Sequence, residues 1–156
     1  MKLVTALSLT VMLVLMACGG DPLPEDSMTA FVEAVKTADG ATAASYISSY
    51  ALGELDVQLV AIKENPEMSV TYFETMGVEV TEDEIANWTS EDLLAAFFTS
   101  PGTAEELGDK LDLVVNGSEI DGSEAVVFIT TASGDEEEVD MVLEDGVWKL
   151  YEMPGN

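Results

Sequence analysis

From Met28 to Leu107 the apolar residues recur at helical spacing, and from Leu111 to Met153 they alternate in twos, so the chain reads as a helical half followed by a sheet half. Met28, Phe31, Val32 and Val35 form one stripe, with Asp26 or Ser27 placed to cap its helix and Asp39-Gly40 to stop it. Ala43, Tyr46, Ile47 and Tyr50 share a face of a second helix beginning at Ala41; Leu52, Leu55, Leu59 and Ile62 carry the spacing on to Asn65-Pro66, where proline breaks it. Val70, Phe73 and Met76 favour helix over 68–76, with Gly77 as its end. Thr81 with Glu84, and Thr89 with Asp92, are capping boxes ahead of Ile85 and Trp88 and of Leu93, Ala96 and Phe97. Ser100-Pro101-Gly102 is expected to stop that helix, and Thr103 with Glu106 to open one short turn around Leu107.

The sheet half begins where Leu111, Leu113 and Val115 alternate with Asp112 and Asn116, and Asn116-Gly117 reads as the start of a connection. Glu124 to Ala132 is a β-branched run, apolar on both faces, as in a strand covered on both sides. Ser133-Gly134-Asp135 turns the chain, and the acidic run Gly134 to Glu138 reads as a solvated hairpin tip. Val139, Met141 and Leu143 alternate with Glu138, Asp140 and Val142; Asp145-Gly146 is a hairpin turn, and Val147 to Met153 is the last strand. Short turns between four strands predict an antiparallel meander with the helices on one face, an α+β sandwich. Trp148 shares a strand face with Leu150 and is expected in the core.

Composition narrows the chemistry. The 156 residues carry 31 Asp and Glu against 5 Lys, with no Arg and no His, for a net charge of −26. So negative a surface repels phosphate, which excludes nucleic acid as a partner. Without imidazole there is no Ser-His-Asp triad, no Cys-His pair and no His-ligated metal site. Without guanidinium there is no bidentate clamp for carboxylate or phosphate. The apolar fraction of 47% still argues for a folded core.

The first residues are a separate unit. Lys2 is followed by an uncharged stretch, Leu3 to Ala17, rich in Leu, Val and Met. It is short of the roughly 20 residues a membrane span needs and suits the apolar region of an export signal. It ends Leu15-Met16-Ala17-Cys18-Gly19-Gly20, which resembles the lipobox of bacterial lipoproteins: an aliphatic residue at minus three, a small one at minus one, then the cysteine. The resemblance implies that residues 1–17 are a signal peptide, that Cys18 receives a thioether-linked diacylglycerol, and that cleavage precedes it. Residues 18–25, with two Gly and two Pro, are then a tether, and 26–153 a single domain. Its expected place is the bacterial cell envelope, held to a membrane outside the cytoplasm through the N-terminal lipid, the outer membrane where the host has one. Removing Lys2 leaves four Lys against 31 acids, a side-chain sum of −27. With one Cys in the chain no disulfide can staple the domain.

The ending Glu144-Asp145-Gly146-Val147-Trp148-Lys149-Leu150, after an N-terminal helix pair broken at Asp39-Gly40, resembles small lipoproteins with a nuclear-transport-factor-2-like, or cystatin-like, domain. That resemblance implies a cone whose mouth takes a small apolar ligand; Leu52 to Leu107 is longer and more helical than the family's usual connection. It makes the expected role that of a non-catalytic envelope lipoprotein binding a small apolar ligand or an envelope protein. The alternative is an enzyme of the same cone, isomerase or dehydratase in type, using carboxylate and Tyr groups. No residue matches such a motif, so no catalytic residue and no cofactor are assigned. Tyr46, Tyr50, Tyr72 and Tyr151 read as amphipathic boundary residues. An EF-hand spacing is absent around Asp121-Gly122, so no metal ligand is assigned. The sequons at Asn87 and Asn116 are coincidental in a bacterial lipoprotein.

Overall fold

The computed structural model describes residues 22–153. The expected signal peptide over 1–17, the residues Leu15, Met16, Ala17 and Cys18 that resemble a lipobox, and the chain up to Asp21 lie outside the described residues. Helices α1 (Pro24–Lys36), α2 (Gly40–Ser45), α3 (Ser49–Glu54), α4 (Asp56–Glu64), α5 (Pro66–Thr75), α6 (Glu82–Asn87), α7 (Ser90–Thr99) and α8 (Pro101–Leu111) precede strands β1 (Val114–Asp121), β2 (Glu124–Thr130), β3 (Glu136–Glu144) and β4 (Val147–Leu150). The strands form one antiparallel sheet in the order β1-β2-β3-β4, the α+β arrangement expected from the period switch.

Helix α1 lies across the sheet against β1, β2 and β4, with α2 and α7 packed behind it and α8 alongside. Its stripe of Met28, Phe31, Val32 and Val35 is buried, and Phe31 meets Phe98 of α7 edge-to-face at 5.7 Å. The buried sheet residues are Ala125, Val127, Ile129, Met141, Trp148 and Leu150. Trp148 is 3% exposed, and its indole N–H donates to the Pro22 carbonyl at 2.9 Å. A second aromatic cluster staples the distal helices: Phe73 packs edge-to-face on Trp88 at 5.0 Å and tilted on Phe97 at 5.5 Å.

Several boundaries differ from the sequence reading. Helix α1 starts at Pro24 and its N-cap is Leu23, without a side-chain cap; proline fits the first helical position because the N–H it lacks would have no partner there. The folded body therefore includes Pro22 to Glu25, read above as tether. The helix expected from Ala41 to Asn65 is three short ones. It breaks at Tyr46 to Ser48 because Ile47 forms a parallel bridge to Leu150; the Leu150 N–H donates to the Tyr46 carbonyl and the Ser48 N–H to the Leu150 carbonyl. Ser100-Pro101 ends α7 as expected, but Pro101 also opens α8, an 11-residue helix in place of the short turn expected around Leu107, and Thr103 Oγ1 donates to the Phe97 carbonyl at 2.6 Å instead of capping its own turn. Leu111 ends α8 and is not in the first strand.

Asn116-Gly117 is not a connection. Strand β1 runs through it with a bulge between Val115 and Gly117, and the chain turns instead at Gly122-Ser123, where Gly122 has φ 66°. Strands β2 and β4 end at Thr130 and Leu150, short of Ala132 and Met153. Asp145 (φ 52°) and Gly146 (φ 81°) make the tight turn expected of them. Residues Gly134 to Glu138 are exposed, a solvated tip as read. The capping boxes at Thr81/Glu84 and Thr89/Asp92 form. Helices cover one face of the sheet, so β2 is not covered on both sides.

Candidate functional site

A groove of about 740 Å³ opens between α1, α8 and the helix-facing side of the sheet. Met28, Phe31 and Val32 project into it because three- and four-residue spacing keeps them on the inner side of α1. The opposite wall is Ile129, Val139 and Leu150, one from each of three adjacent strands; Leu107 and Leu111 of α8, Leu113 and Met153 complete the apolar lining. Thr131, Ser133, Glu137, Glu152 and Lys110 border it with hydroxyls, two acids and an ammonium. Glu138 and Asp140 also touch the groove, but strand alternation sends their side chains to the sheet's other face. The size lies within the range of small-molecule sites, and the lining has their usual apolar majority.

No Tyr borders this groove. Tyr50, Tyr72 and Tyr151 stand well exposed, with Tyr50 stacked on Tyr151 at 4.7 Å and 5°. Trp148 is core, on the side of α1 that Pro22 reaches, and lines no part of the groove. Among the described residues no group of His, Cys, Asp or Glu is arranged to hold a metal ion, and no helix is long and apolar enough to cross a membrane.

Among the described residues two carboxyls depart from ordinary behaviour, and both serve the fold. Partial burial pushes Glu144 up, but the Ser49 hydroxyl and N–H and the Lys149 ammonium outweigh it and hold the group below the usual carboxylate range. Ser49 Oγ donates to Oε1 at 2.8 Å, its N–H reaches both oxygens at 3.1–3.2 Å, and Lys149 Nζ lies 3.6 Å away. This ties the β3–β4 turn to the start of α3. The Thr81 hydroxyl and N–H likewise lower Glu84, at the cap of α6. A general acid at neutral pH needs the opposite shift.

The groove residues Lys110 and Leu111 of α8 lie beyond the single turn expected around Leu107, and Leu111 also fits the alternation of the first strand. The signal was present: Leu107, Lys110 and Leu111 continue at helical spacing. Comparison with known protein families, curated proteins and solved structures finds no match to this chain.

Proposed function

We propose that the protein is a lipid-anchored bacterial envelope lipoprotein, non-catalytic, whose groove receives a small apolar ligand. The observation that carries the address is Leu15-Met16-Ala17-Cys18 closing an uncharged apolar run that begins after Lys2. Two or more acyl chains on Cys18 give a stable hold where one is marginal, and a body of side-chain charge −27 stands off an anionic bilayer. The ligand reading rests on the groove, whose walls are apolar and whose border groups are mixed in sign. Helix α1 laid across a four-stranded meander, with buried Trp148 on the last strand, supports the resemblance to the cystatin-like lipoproteins.

Palmitate labelling tests the anchor. Wild-type protein should incorporate label and Cys18→Ala should not; equal labelling of both overturns the assignment. Native mass spectrometry tests the groove. A co-purifying apolar adduct should vanish in Val139→Glu, with unchanged circular dichroism, since this half-buried residue puts a charge on the groove wall. An adduct that persists in the variant removes the groove as its site.

A further inference from the structure

We propose that the sheet face turned away from the helices docks a basic amphipathic segment of another protein. Alternation along β2 sends Ala125, Val127 and Ile129 into the core and leaves Val126 and Phe128 on the opposite side. With Val142 of β3 they form an apolar spine that is half-buried by its neighbours yet stands outside the core cluster. An uncovered antiparallel face is ordinarily polar along its length.

The strand register walls this spine with carboxylates. Val126 lies between Glu119 and Asp140, Phe128 between Gly117 and Glu138, and Asp121 pairs with Glu124 at the end. These five acids are exposed. Gly117 has no side chain, so the bulge leaves one flank of the Phe128 ring uncovered. Among the described residues Lys149 is the cation on this face, and Glu144 already holds it. Val126 and Val142 continue into a concavity of about 530 Å³ bordered by Tyr151, itself braced by Tyr50.

Charge decides the occupant. A second copy of this chain would set one row of acids against another, and an anionic membrane is repelled in the same way. A neutral apolar molecule would leave the acids desolvated without partners. A segment with an apolar stripe flanked by Lys or Arg satisfies spine and walls together, and a basic head in the concavity gains a cation–π contact with Tyr151.

The test uses the full-length chain in zwitterionic nanodiscs, with empty discs as blank, and two labelled 14-residue peptides of identical Leu/Lys composition. One places its Leu on a single helical stripe and the other is scrambled. The striped peptide should bind at least about tenfold tighter by fluorescence anisotropy. Phe128→Ser, with unchanged circular dichroism, should remove that advantage. Glu138→Lys with Asp140→Lys should weaken binding about tenfold, while Glu67→Lys with Glu74→Lys, the same charge change on α5, should not. Equal binding of the two peptides, indifference to both surface variants, or equal loss from the α5 pair overturns the proposal. So does self-association in sedimentation that Phe128→Ser abolishes, which would assign the face to a second copy.

Discussion

Gly40→Ala and Gly53→Ala make the same chemical change in helices and should move stability in opposite directions. Gly53 lies in α3 with open space where a Cβ would stand. Alanine there restricts the unfolded chain and costs the native state nothing, for a gain of about 0.5–1 kcal/mol. Gly40 opens α2, is buried, and lies against α7. A Cβ on it would collide with the Ala95 carbonyl oxygen and Thr99 Oγ1 and come within 2.8 Å of the Thr99 nitrogen. Two of these three atoms are backbone of a packed helix and cannot rotate away, so α2 must move off α7. Such overpacking costs about 1–3 kcal/mol, and a rigid obstacle puts it at the upper end. Helix propensity returns at most about 1 kcal/mol, leaving Gly40→Ala less stable by about 1–2 kcal/mol. Urea unfolding followed by tryptophan fluorescence and circular dichroism measures both variants. Trp88 reports from the distal helices and Trp148 from the sheet, so coincident transitions also test two-state behaviour. A Gly40→Ala midpoint at or above that of the wild type would refute the close-packing argument. A Gly53→Ala loss equal to that of Gly40→Ala would refute it as well.

Ala38 adopts φ 55° in the α1–α2 connection, a region that L-residues enter at a cost, so Ala38→Gly should raise the urea midpoint by up to about 1 kcal/mol in stability. Glu144 has a lowered folded-state pKa; its contribution is present above the ordinary carboxylate value and is lost as pH falls through the lowered one. The stability gap between wild type and Glu144→Gln should therefore be about 1 kcal/mol at pH 7 and close on acidification; a gap that widens towards low pH contradicts the Ser49 and Lys149 contacts. Trp148→Phe loses the bond to the Pro22 carbonyl and part of the packed ring, costing about 1–3 kcal/mol in the same urea assay. At −26 with two ion pairs among the described residues, self-repulsion should make 0.5 M salt raise the urea midpoint.

The division into helices then meander, the burial of the α1 stripe, the turn at Asp145-Gly146 and the capping boxes at Thr81 and Thr89 all followed from residues within a few positions of one another. Each is a local matter: side-chain period decides which face an element buries, and a short polar side chain satisfies N–H groups two or three residues on. The candidate site was less legible. Met28, Phe31, Val32 and Leu150 were marked as apolar stripe or core, but nothing local says that α8 would stand off the sheet and leave a groove between them.

Tertiary partners decided the rest. Tyr46 to Ser48 leave the helix because Leu150, about a hundred residues later, offers backbone groups that the Tyr46 carbonyl and Ser48 N–H take up. Gly40, which looks like a helix stop, is needed for the closeness of α7, while non-glycine Ala38 takes the left-handed turn. Gly117, half of a turn signal, becomes a bulge because β2 continues to pair past it. The apolar run of β2 shows that both its faces can be buried; the placement of the helices settles that one is covered. An alternating pattern specifies which residues share a face, whereas what covers that face depends on chain folded from elsewhere.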